Sequence, residues 1–275
     1  MILDTIVKAT RIRVEKAKEQ ISLEELMMKI VEGEGIKSFH KRKAFAFERA
    51  LRKNRSLMID GNAISVICEV KKASPSKGVI AESFPYLNIA MEYVEAGADA
   101  ISVLTEPEFF LGEDRYLSEI SQEVAIPVLR KDFTIDEYQI YEAKLIGADA
   151  VLLICSLLET RTLQRYLKIC DELGLSALVE AHTEMEILSA IRAGARVIGV
   201  NNRNLETFDV DIANSLHLRK FVPEGIIFVA ESGIRSAMDI AMLSRAGVDA
   251  VLIGETLMRS SNKKEELAKL RGLLL

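Results

Sequence analysis

The chain of 275 residues lacks tryptophan, has only three cysteines and contains no long uncharged apolar stretch. The three cysteines form no even disulfide framework and no Cys-x-x-Cys pair, which fits a protein of the reducing cytoplasm. The run 150–158 is among the longest without charge, and it falls far short of the ~20 residues of a membrane helix. Residues 1–18 lack the apolar core of a signal peptide, so we expect neither membrane insertion nor export.

Strong net charge and cofactor motifs are also missing. The formal net charge is −5, so nothing favours nucleic acid or a membrane surface as a partner, and an anionic substrate must meet local positive groups. No Gly-x-Gly-x-x-Gly follows the first apolar run, and Gly33-Glu-Gly35 lacks the Gly-Lys-Ser/Thr of a P-loop. His40, His182 and His217 form no His-x-x-x-His pair. We therefore expect no cofactor and no metal.

The chain does contain a repeat around four glycines. Each lies in a segment similar to Gly-Ala-Asp-Ala, which ends an amphipathic stretch and precedes an apolar run, as a glycine at a helix C-terminus does. One further apolar run lies between successive copies, and another precedes the first copy, which gives eight runs. The glycines are Gly97, Gly147, Gly194 and Gly247.

The eight runs predict parallel strands that are buried on both faces, because they are continuously apolar rather than alternating. Eight strands that alternate with helical segments fit a closed (β/α)8 barrel better than an open sheet, and a doubly wound sheet is the alternative. The predicted strands are 64–70, 100–104, 127–129, 150–154, 177–179, 197–200, 226–229 and 250–253.

Residues 1–60 precede the barrel residues 61–275, and we expect them to be helical and part of the same single domain. Hydrophobic residues recur there at helical spacing, Ser22 and Glu25 form a capping-box pattern, and a basic helical segment is expected at 39–51. These helices would either plug the bottom of the barrel or cover its substrate side. If they cover the substrate side, the basic stretch 41–55 lies near the mouth.

Charged side chains stand where several of the predicted strands end. In a barrel the carboxyl ends of all strands meet around one mouth, where the active site lies. Because burial of unpaired charge is costly, these side chains should pair with one another and have shifted pKa values. Two lysines among three glutamates favour acid–base catalysis over a set of structural ion pairs. The five residues are Glu69, Lys71, Lys131, Glu180 and Glu231.

Small residues follow the last two predicted strands, in Ser232-Gly233 and Gly254-Glu255. Barrel enzymes often bind phosphate at these two positions through backbone N–H groups and a helix N-terminus. Glycine lets the backbone approach such a ligand closely. The residues alone thus predict a phosphate-binding barrel that needs no cofactor and uses lysine and glutamate.

The motifs that carry these residues resemble those of the indole-3-glycerol-phosphate synthase family. The most specific is Glu69-Val-Lys-Lys-Ala-Ser-Pro-Ser-Lys-Gly78, supported by Leu129-Arg-Lys-Asp-Phe133 and Gly199-Val-Asn-Asn-Arg203. The resemblance covers nearly the whole chain and implies an α/β TIM barrel with extra N-terminal helices. It also implies ring closure, decarboxylation and dehydration of 1-(2-carboxyphenylamino)-1-deoxyribulose 5-phosphate. The products would be indole-3-glycerol phosphate, carbon dioxide and water, in tryptophan biosynthesis.

The resemblance further implies roles for residues at the mouth. Lys131 matches the general acid of ring closure, Glu180 matches the catalytic glutamate, and Lys71 is placed to assist the dehydration. Glu69 and Glu231 would hold the lysines charged and meet substrate hydroxyls or the amine. The matched substrate-binding residues are Asn201, Arg203, Glu231, Ser74, Phe110 and Phe133, and the matched phosphate-binding residues are Ser232, Gly233, Gly254 and Glu255.

Two other interpretations of the same residues stay open. A lysine at a strand end can attack a ketose carbonyl, so the chain could be a Schiff-base aldolase acting on a phosphorylated ketose. A non-catalytic phosphate-binding barrel is the other alternative, although such a protein has no reason to keep costly buried charges. In each case we expect a monomer whose partner is a phosphorylated small molecule.

Overall fold

Residues 2–33, 42–52, 64–204 and 207–273 are described by a computed structural model in which strands and helices alternate. All barrel strands are parallel, and the first pairs with both the second and the last, which closes the sheet. The predicted barrel is confirmed and the open sheet is excluded. The strands are β1 (Ser65–Val70), β2 (Ala100–Leu104), β3 (Val128–Lys131), β4 (Ala150–Ile154), β5 (Ser176–Ala181), β6 (Val197–Asn201), β7 (Ile227–Glu231) and β8 (Ala250–Ile253).

Helices surround the barrel, and a two-stranded ribbon, Ala73–Ser74 with Gly78–Val79, follows β1. Within the described ranges, no helix is both long and apolar enough to cross a bilayer. The helices are α1 (Ile2–Gln20), α2 (Leu23–Val31), α3 (Ala46–Leu51), α4 (Tyr86–Glu95), α5 (Asp114–Glu123), α6 (Tyr138–Leu145), α7 (Thr160–Leu173), α8 (Glu184–Ala193), α9 (Ala213–Leu218), α10 (Ala237–Arg245), α11 (Glu255–Arg259) and α12 (Lys263–Leu270).

Both the glycine and the aspartate of the repeat have a structural role. All four glycines have a left-handed backbone, with φ between +83° and +93°, and they end helices, as predicted. In three copies the aspartate two residues later accepts a backbone N–H from the preceding strand. Asp99 accepts from Val66 at 2.8 Å, and Asp149 and Asp249 bond β3 and β7 in the same way. The repeat therefore fixes the register of neighbouring strands at the amino end of the barrel.

Helix α3 closes this amino end, which is the bottom of the barrel. Phe47 and Leu51 are fully buried and belong to the apolar cluster that fills the barrel interior. The Ser65 hydroxyl donates to the Leu51 carbonyl at 3.3 Å, and the Glu48 N–H donates to the Ser176 hydroxyl at 3.3 Å. Because Ser65 and Ser176 begin β1 and β5, α3 is the plug.

The hypothesis that the basic stretch 41–55 lies near the mouth is wrong for its described part, 42–52. Arg42 pairs with Asp149 at 2.7 Å, and Arg52 donates to the Gly225 carbonyl at 2.9 Å, both at the amino end. The apolar side chain of Phe47 directs this segment into the barrel bottom, since burial of an aromatic outweighs the attraction of exposed arginines to a distant anion. Residues 41 and 53–55, like 39–41 of the predicted helix, lie outside the described residues.

Helix α1 lies at the opposite end and spans the substrate side. Ile2, Leu3 and Ile6 line the cavity at the mouth. Further along the helix, Arg13 bonds both carboxylate oxygens of Asp132, at 2.7 and 2.8 Å. The sequence left open whether the N-terminal helices plug the bottom of the barrel or cover its substrate side. The structure shows both, with α3 as the plug and α1 as the cover.

We predict that Phe47→Ala lowers the free energy of unfolding by about 3–5 kcal/mol, the usual cost of truncating a fully buried phenylalanine. Urea unfolding measures the loss, with the exposed Ile12→Ala as the matched control. Because Phe47 packs at the bottom, KM should stay within about twofold of the parent value. A stability loss near zero would show that α3 does not seal the barrel.

Candidate active site

A cavity of about 420 Å³ opens at the carboxyl end of the barrel. All fourteen site residues predicted from the sequence line it. They come from the ends of β1, β3, β5, β6 and β7 and from the segments that follow β1, β2, β3, β6, β7 and β8. Strand ends therefore bring together residues that are up to 186 positions apart, from Glu69 to Glu255.

The centre of the site is Lys131 at the end of β3. Its Nζ lies 2.7 Å from Glu231 Oε2 and 3.0 Å from Glu180 Oε2. Burial disfavours the charged amine, but the Glu180 and Glu231 carboxylates outweigh it and raise the pKa of Lys131. Lys131 is therefore a charged, buried proton donor with two acceptors in direct contact.

The two glutamates that hold Lys131 differ from each other. Burial raises the pKa of Glu231 to about 7, because Lys131 offsets it only in part and Glu180 adds a like charge. Burial acts in the same direction on Glu180, but the charges of Lys131 and His182 outweigh it and lower the pKa of Glu180. The two carboxyl groups therefore differ near neutral pH, where Glu180 is ionised and Glu231 is close to the midpoint of its titration.

Two glycines make room for the buried carboxylates. A Cβ atom at Gly199, inside β6, would collide with the Glu231 carboxylate and come within 3.0 Å of Leu178. A Cβ at Gly254 would collide with the carboxylate of Glu69 and lie 2.9 Å from the Lys71 amine. A side chain at either position would force the buried glutamate to move, because the carboxylate occupies the space where that side chain would begin.

Lys71 forms an ion pair with Glu69, and both come from the end of β1. The Lys71 side chain is 17% exposed, against 5% for Glu69, so the amine reaches toward the cavity from a buried carboxylate. This is a second lysine–glutamate pair at the same mouth. The five charges predicted to meet therefore do meet, and they are divided into two groups.

Asn201 ends β6 and Arg203 follows that strand, on the wall beside Glu180. The Asn201 amide donates to Glu180 Oε1 at 3.3 Å, and its own oxygen accepts the Arg203 N–H at 3.0 Å. The Arg203 guanidinium donates to the Phe208 carbonyl at 3.2 Å and lines the cavity. Asn201 thus orients one oxygen of Glu180 while Lys131 holds the other.

The rings of Phe110 and Phe133 form an aromatic wall, with centroids 6.0 Å apart. Each backbone is held by a buried acid. Glu106 accepts the N–H groups of Phe109 and Phe110 at 2.7 and 3.0 Å, and Asp132 accepts the N–H of Phe133 at 2.8 Å. Carboxylate bonds to backbone N–H groups are strong, so the wall is rigid before any ligand binds.

The predicted phosphate turns lie side by side after β7 and β8. Ser232 and Gly233 have φ values of +68° and +85°, so the backbone bends sharply toward the cavity. Gly254 precedes α11, which begins at Glu255. The Glu255 carboxylate forms ion pairs with Arg259 at 3.2 Å and with Lys77 at 3.5 Å. The group of Glu255 that suits an anion is therefore its backbone N–H, at the start of α11.

Sequence reasoning missed several residues of this site. Gly199 was quoted only as part of a motif, although a glycine inside an apolar strand signals close approach of another group. Glu106 and Asp132 follow β2 and β3, and the search for charged residues at strand ends that found the five charges could also have found them. Ile2 and Ile6 carried no signal beyond helical spacing. Ser74, by contrast, was predicted at the site and lies there, buried.

Several known proteins are similar to this chain over nearly its whole length. The family model described as indole-3-glycerol phosphate synthase matches residues 3–270. The curated indole-3-glycerol phosphate synthase of Ruminiclostridium cellulolyticum is 61% identical over 272 residues, covering 99% of each chain. Those of Lachnoclostridium phytofermentans and Endomicrobium trichonymphae are 52% and 55% identical, and at least 98% of every chain is covered.

Solved structures support the fold alone. A 3-hexulose-6-phosphate synthase from Salmonella typhimurium superposes with a TM-score of 0.61 at 16% identity, covering 77% of this chain and 98% of its own. A thiamine phosphate pyrophosphorylase from Pyrococcus furiosus gives 0.57 at 17% identity, covering 78% of this chain and 96% of its own. At these identities the likeness is one of barrel architecture.

We predict that one carboxyl group titrates near pH 7 and that it belongs to Glu231. Carbon-13 NMR of labelled glutamate should show this titration in the parent and in the exposed control Glu184→Gln, and it should be absent from Glu231→Gln. The folded chain holds this proton between pH 4.5 and about 7 whereas the unfolded chain has lost it. The contribution to the free energy of unfolding therefore falls as pH rises through that window. If every carboxyl titrates below about pH 5, the assignment fails.

Proposed function

The chain belongs to the indole-3-glycerol phosphate synthase family, and we propose that its barrel mouth closes the indole ring through acid–base chemistry centred on Lys131 and Glu180. The enzyme is a decarboxylating lyase of tryptophan biosynthesis that acts on a phosphorylated small molecule. It converts 1-(2-carboxyphenylamino)-1-deoxyribulose 5-phosphate to indole-3-glycerol phosphate, carbon dioxide and water. The observation that carries the proposed roles is the buried Lys131 ammonium in contact with two carboxylates beside an aromatic wall.

Lys131 serves the first step as the general acid. The ring carbon that bears the carboxylate forms a bond to the ketone carbon, and the ketone oxygen takes a proton from Lys131. Carbon dioxide then leaves that ring carbon, and the electron pair of the broken bond returns to the ring. The carboxylates around Lys131 keep the amine charged, so its proton is present before the transfer in a site where burial disfavours charge.

Glu180 and Lys71 serve the dehydration. The methylene carbon beside the nitrogen loses a proton to Glu180, and the hydroxyl leaves as water with a proton from Lys71. Glu180 is suited to the role of base because it is ionised, and Lys71, the acid, forms an ion pair with Glu69. Over both steps the substrate carboxylate is replaced by neutral carbon dioxide, so each turnover consumes one proton.

The two ends of the substrate meet different walls. Its aromatic ring lies against Phe110 and Phe133, and Arg203 pairs with the carboxylate. The phosphate occupies the turns Ser232-Gly233 and Gly254-Glu255, beside Ser74. Asn201 orients Glu180, and Glu231 contacts a substrate hydroxyl or the amine. Helix α1 covers the mouth with Ile2, Leu3 and Ile6 and excludes water from the reacting atoms.

The charge on Lys131 also weighs against the Schiff-base alternative. An amine attacks a carbonyl only when it has lost its proton. The paired carboxylates raise the pKa of Lys131, so they suppress the form that an aldolase needs. A non-catalytic barrel would have no need for two buried lysine–glutamate groups around one cavity. Ring closure is therefore the chemistry that this arrangement supports best.

We further propose that the enzyme is a cytoplasmic monomer in which residues 1–60 and 61–275 form one domain. Helices α1 and α2 pack on the barrel through Val14, Leu26 and Tyr138. Lys18 adds an ion pair to Asp136 at 2.7 Å. The described chain supplies all five charges of the mouth and both turns for phosphate, so one copy contains the groups that the mechanism uses.

We expect Lys131→Met to lower kcat at least about 100-fold, because a general acid contributes roughly 10²–10⁴ in rate. Formation of indole-3-glycerol phosphate, followed by absorbance, measures the loss. Lys144→Met replaces a half-buried lysine on α6 outside the cavity and should keep full activity. Turnover of Lys131→Met within a few-fold of the parent would refute its role. A borohydride-trapped adduct on Lys131 would instead favour the aldolase.

We expect Gly233→Val to raise KM steeply with a smaller loss in kcat, the pattern of lost ground-state binding. Gly233 has a φ of +85°, and a Cβ there would lie 2.7 Å from Val210, so a side chain displaces the phosphate turn. Gly194→Val is the matched control, because its φ of +93° imposes similar strain at the other end of the barrel. Inorganic phosphate should inhibit the parent and the control but not Gly233→Val. Equal inhibition of all three would place the anion elsewhere.

A further inference from the structure

His182 stands immediately behind Glu180 and outside the cavity lining. It is the first residue after β5, and its ring is placed between two acids. Nε2 lies 3.5 Å from Glu180 Oε1, and Nδ1 lies 3.5 Å from Glu186 Oε2, one helical turn along α8. The His182 backbone N–H donates to the same Glu186 oxygen. Nε2 is buried and has no hydrogen-bond partner among the described residues.

The charged groups that face His182 favour its protonated form. Burial lowers the pKa of His182, but Glu186 on α8, Glu180 on β5 and Glu231 on β7 outweigh burial and raise it. A protonated imidazole has an N–H on both nitrogens, so the unpartnered Nε2 becomes a donor directed at Glu180. The neutral Asn201 amide on β6 is the other group at that oxygen.

Glu180 needs a second counter-charge during turnover. Before reaction its Oε2 faces Lys131, and Lys131 is shared with Glu231 at the shorter distance of 2.7 Å. When Lys131 gives its proton to the ketone oxygen, it becomes neutral, and two buried carboxylates lose their common partner. A carboxylate buried without a counter-charge takes up a proton and is then useless as a base.

We propose that His182 is a positioning residue whose imidazolium, held by Glu186, keeps Glu180 ionised and oriented while Lys131 is neutral. The inference rests on the proposed roles of Lys131 and Glu180. His182 transfers no proton itself: the charge stays on the ring, and Glu180 receives the methylene proton of the dehydration step. Both glutamates contact Lys131, and Glu180 also lies 3.5 Å from His182.

NMR titration of the imidazole groups tests the coupling without any reaction. The chain has three histidines, so His182→Gln identifies the signal. We expect the His182 midpoint to lie above 6.5 in the parent and to fall in both Glu186→Gln and Glu180→Gln. His217→Gln, on the exposed face of α9, should leave it unchanged. A His182 midpoint that does not move in Glu180→Gln overturns the proposal.

Single-turnover kinetics with rapid quench test the consequence. His182→Gln should slow dehydration about tenfold, which corresponds to a Glu180 pKa about one unit above the assay pH once Lys131 is neutral and the imidazolium is absent. The decarboxylated, still hydrated intermediate should then accumulate while ring closure keeps its rate. The deficit should narrow as pH rises, because Glu180 then ionises without help. His182→Lys restores a positive charge and should recover part of the rate, and Glu186→Gln should behave like a weaker His182→Gln.

The failures of the two proposals are distinguishable. Unchanged dehydration in His182→Gln at every pH overturns the role of His182, whatever Lys131 and Glu180 do. Full activity of Lys131→Met overturns the proposed function, whatever the histidine titration shows. A slower ring closure with no accumulated intermediate would also overturn the positioning role, since it would place the effect of His182 on the Lys131 step.

Discussion

The burial of one ammonium group at the end of β3 sets the conditions for the rest of the mouth. An ammonium in a protein interior is tolerated only when it is paired, so Lys131 on β3 requires Glu180 and Glu231, which reach it across the mouth from β5 and β7. Their carboxylates then need space, which Gly199 supplies by having no side chain. Glu180, held by a shared cation, gains Asn201 and His182 as further partners. Each further residue thus compensates a buried charge or a steric conflict that the previous residue introduces.

The two ends of the barrel have different roles. Residues at the amino end stabilise the fold, and residues at the carboxyl end form the candidate active site. At the amino end, the repeated aspartates accept backbone N–H groups of the strands, and α3 fills the interior with Phe47 and Leu51. These aspartates therefore stabilise the fold. At the carboxyl end, charges contact one another over an open cavity. The Arg13–Asp132 bonds connect α1 to the residue that follows Lys131. The cover of the site is therefore fastened to the strand that carries the central acid.

The sequence predicted the strands well because buried parallel strands are continuous apolar runs. The runs at β2, β4 and β8 match to the residue, and the others begin or end within two residues. Lys131 and Glu180 were predicted for the same reason, because a charged residue directly after an apolar run is easy to recognise in the sequence. It could not place 42–52, because a basic helix with one buried phenylalanine has the composition of a surface helix. His182 was named from the sequence, but its burial between Glu180 and Glu186 depends on the turn from β5 into α8, which no local pattern reveals.

The charges of the mouth are also sorted by depth, which explains how an acidic chain attracts an anionic substrate. The chain carries a net charge of −5, yet six basic and five acidic residues line the cavity. Glu69, Glu180 and Glu231 lie deep, whereas three basic side chains are exposed at the rim beside the turns after β1, β7 and β8, where Glu255 pairs with two of them. An approaching phosphate therefore meets positive charge first, and the reacting carbons reach the carboxylates only after binding. The three rim residues flank Ser232-Gly233 and Gly254-Glu255, so this distribution of charge is compatible with the proposed orientation, in which the phosphate lies at the rim and the ring beneath. The rim residues are Lys77, Arg235 and Arg259.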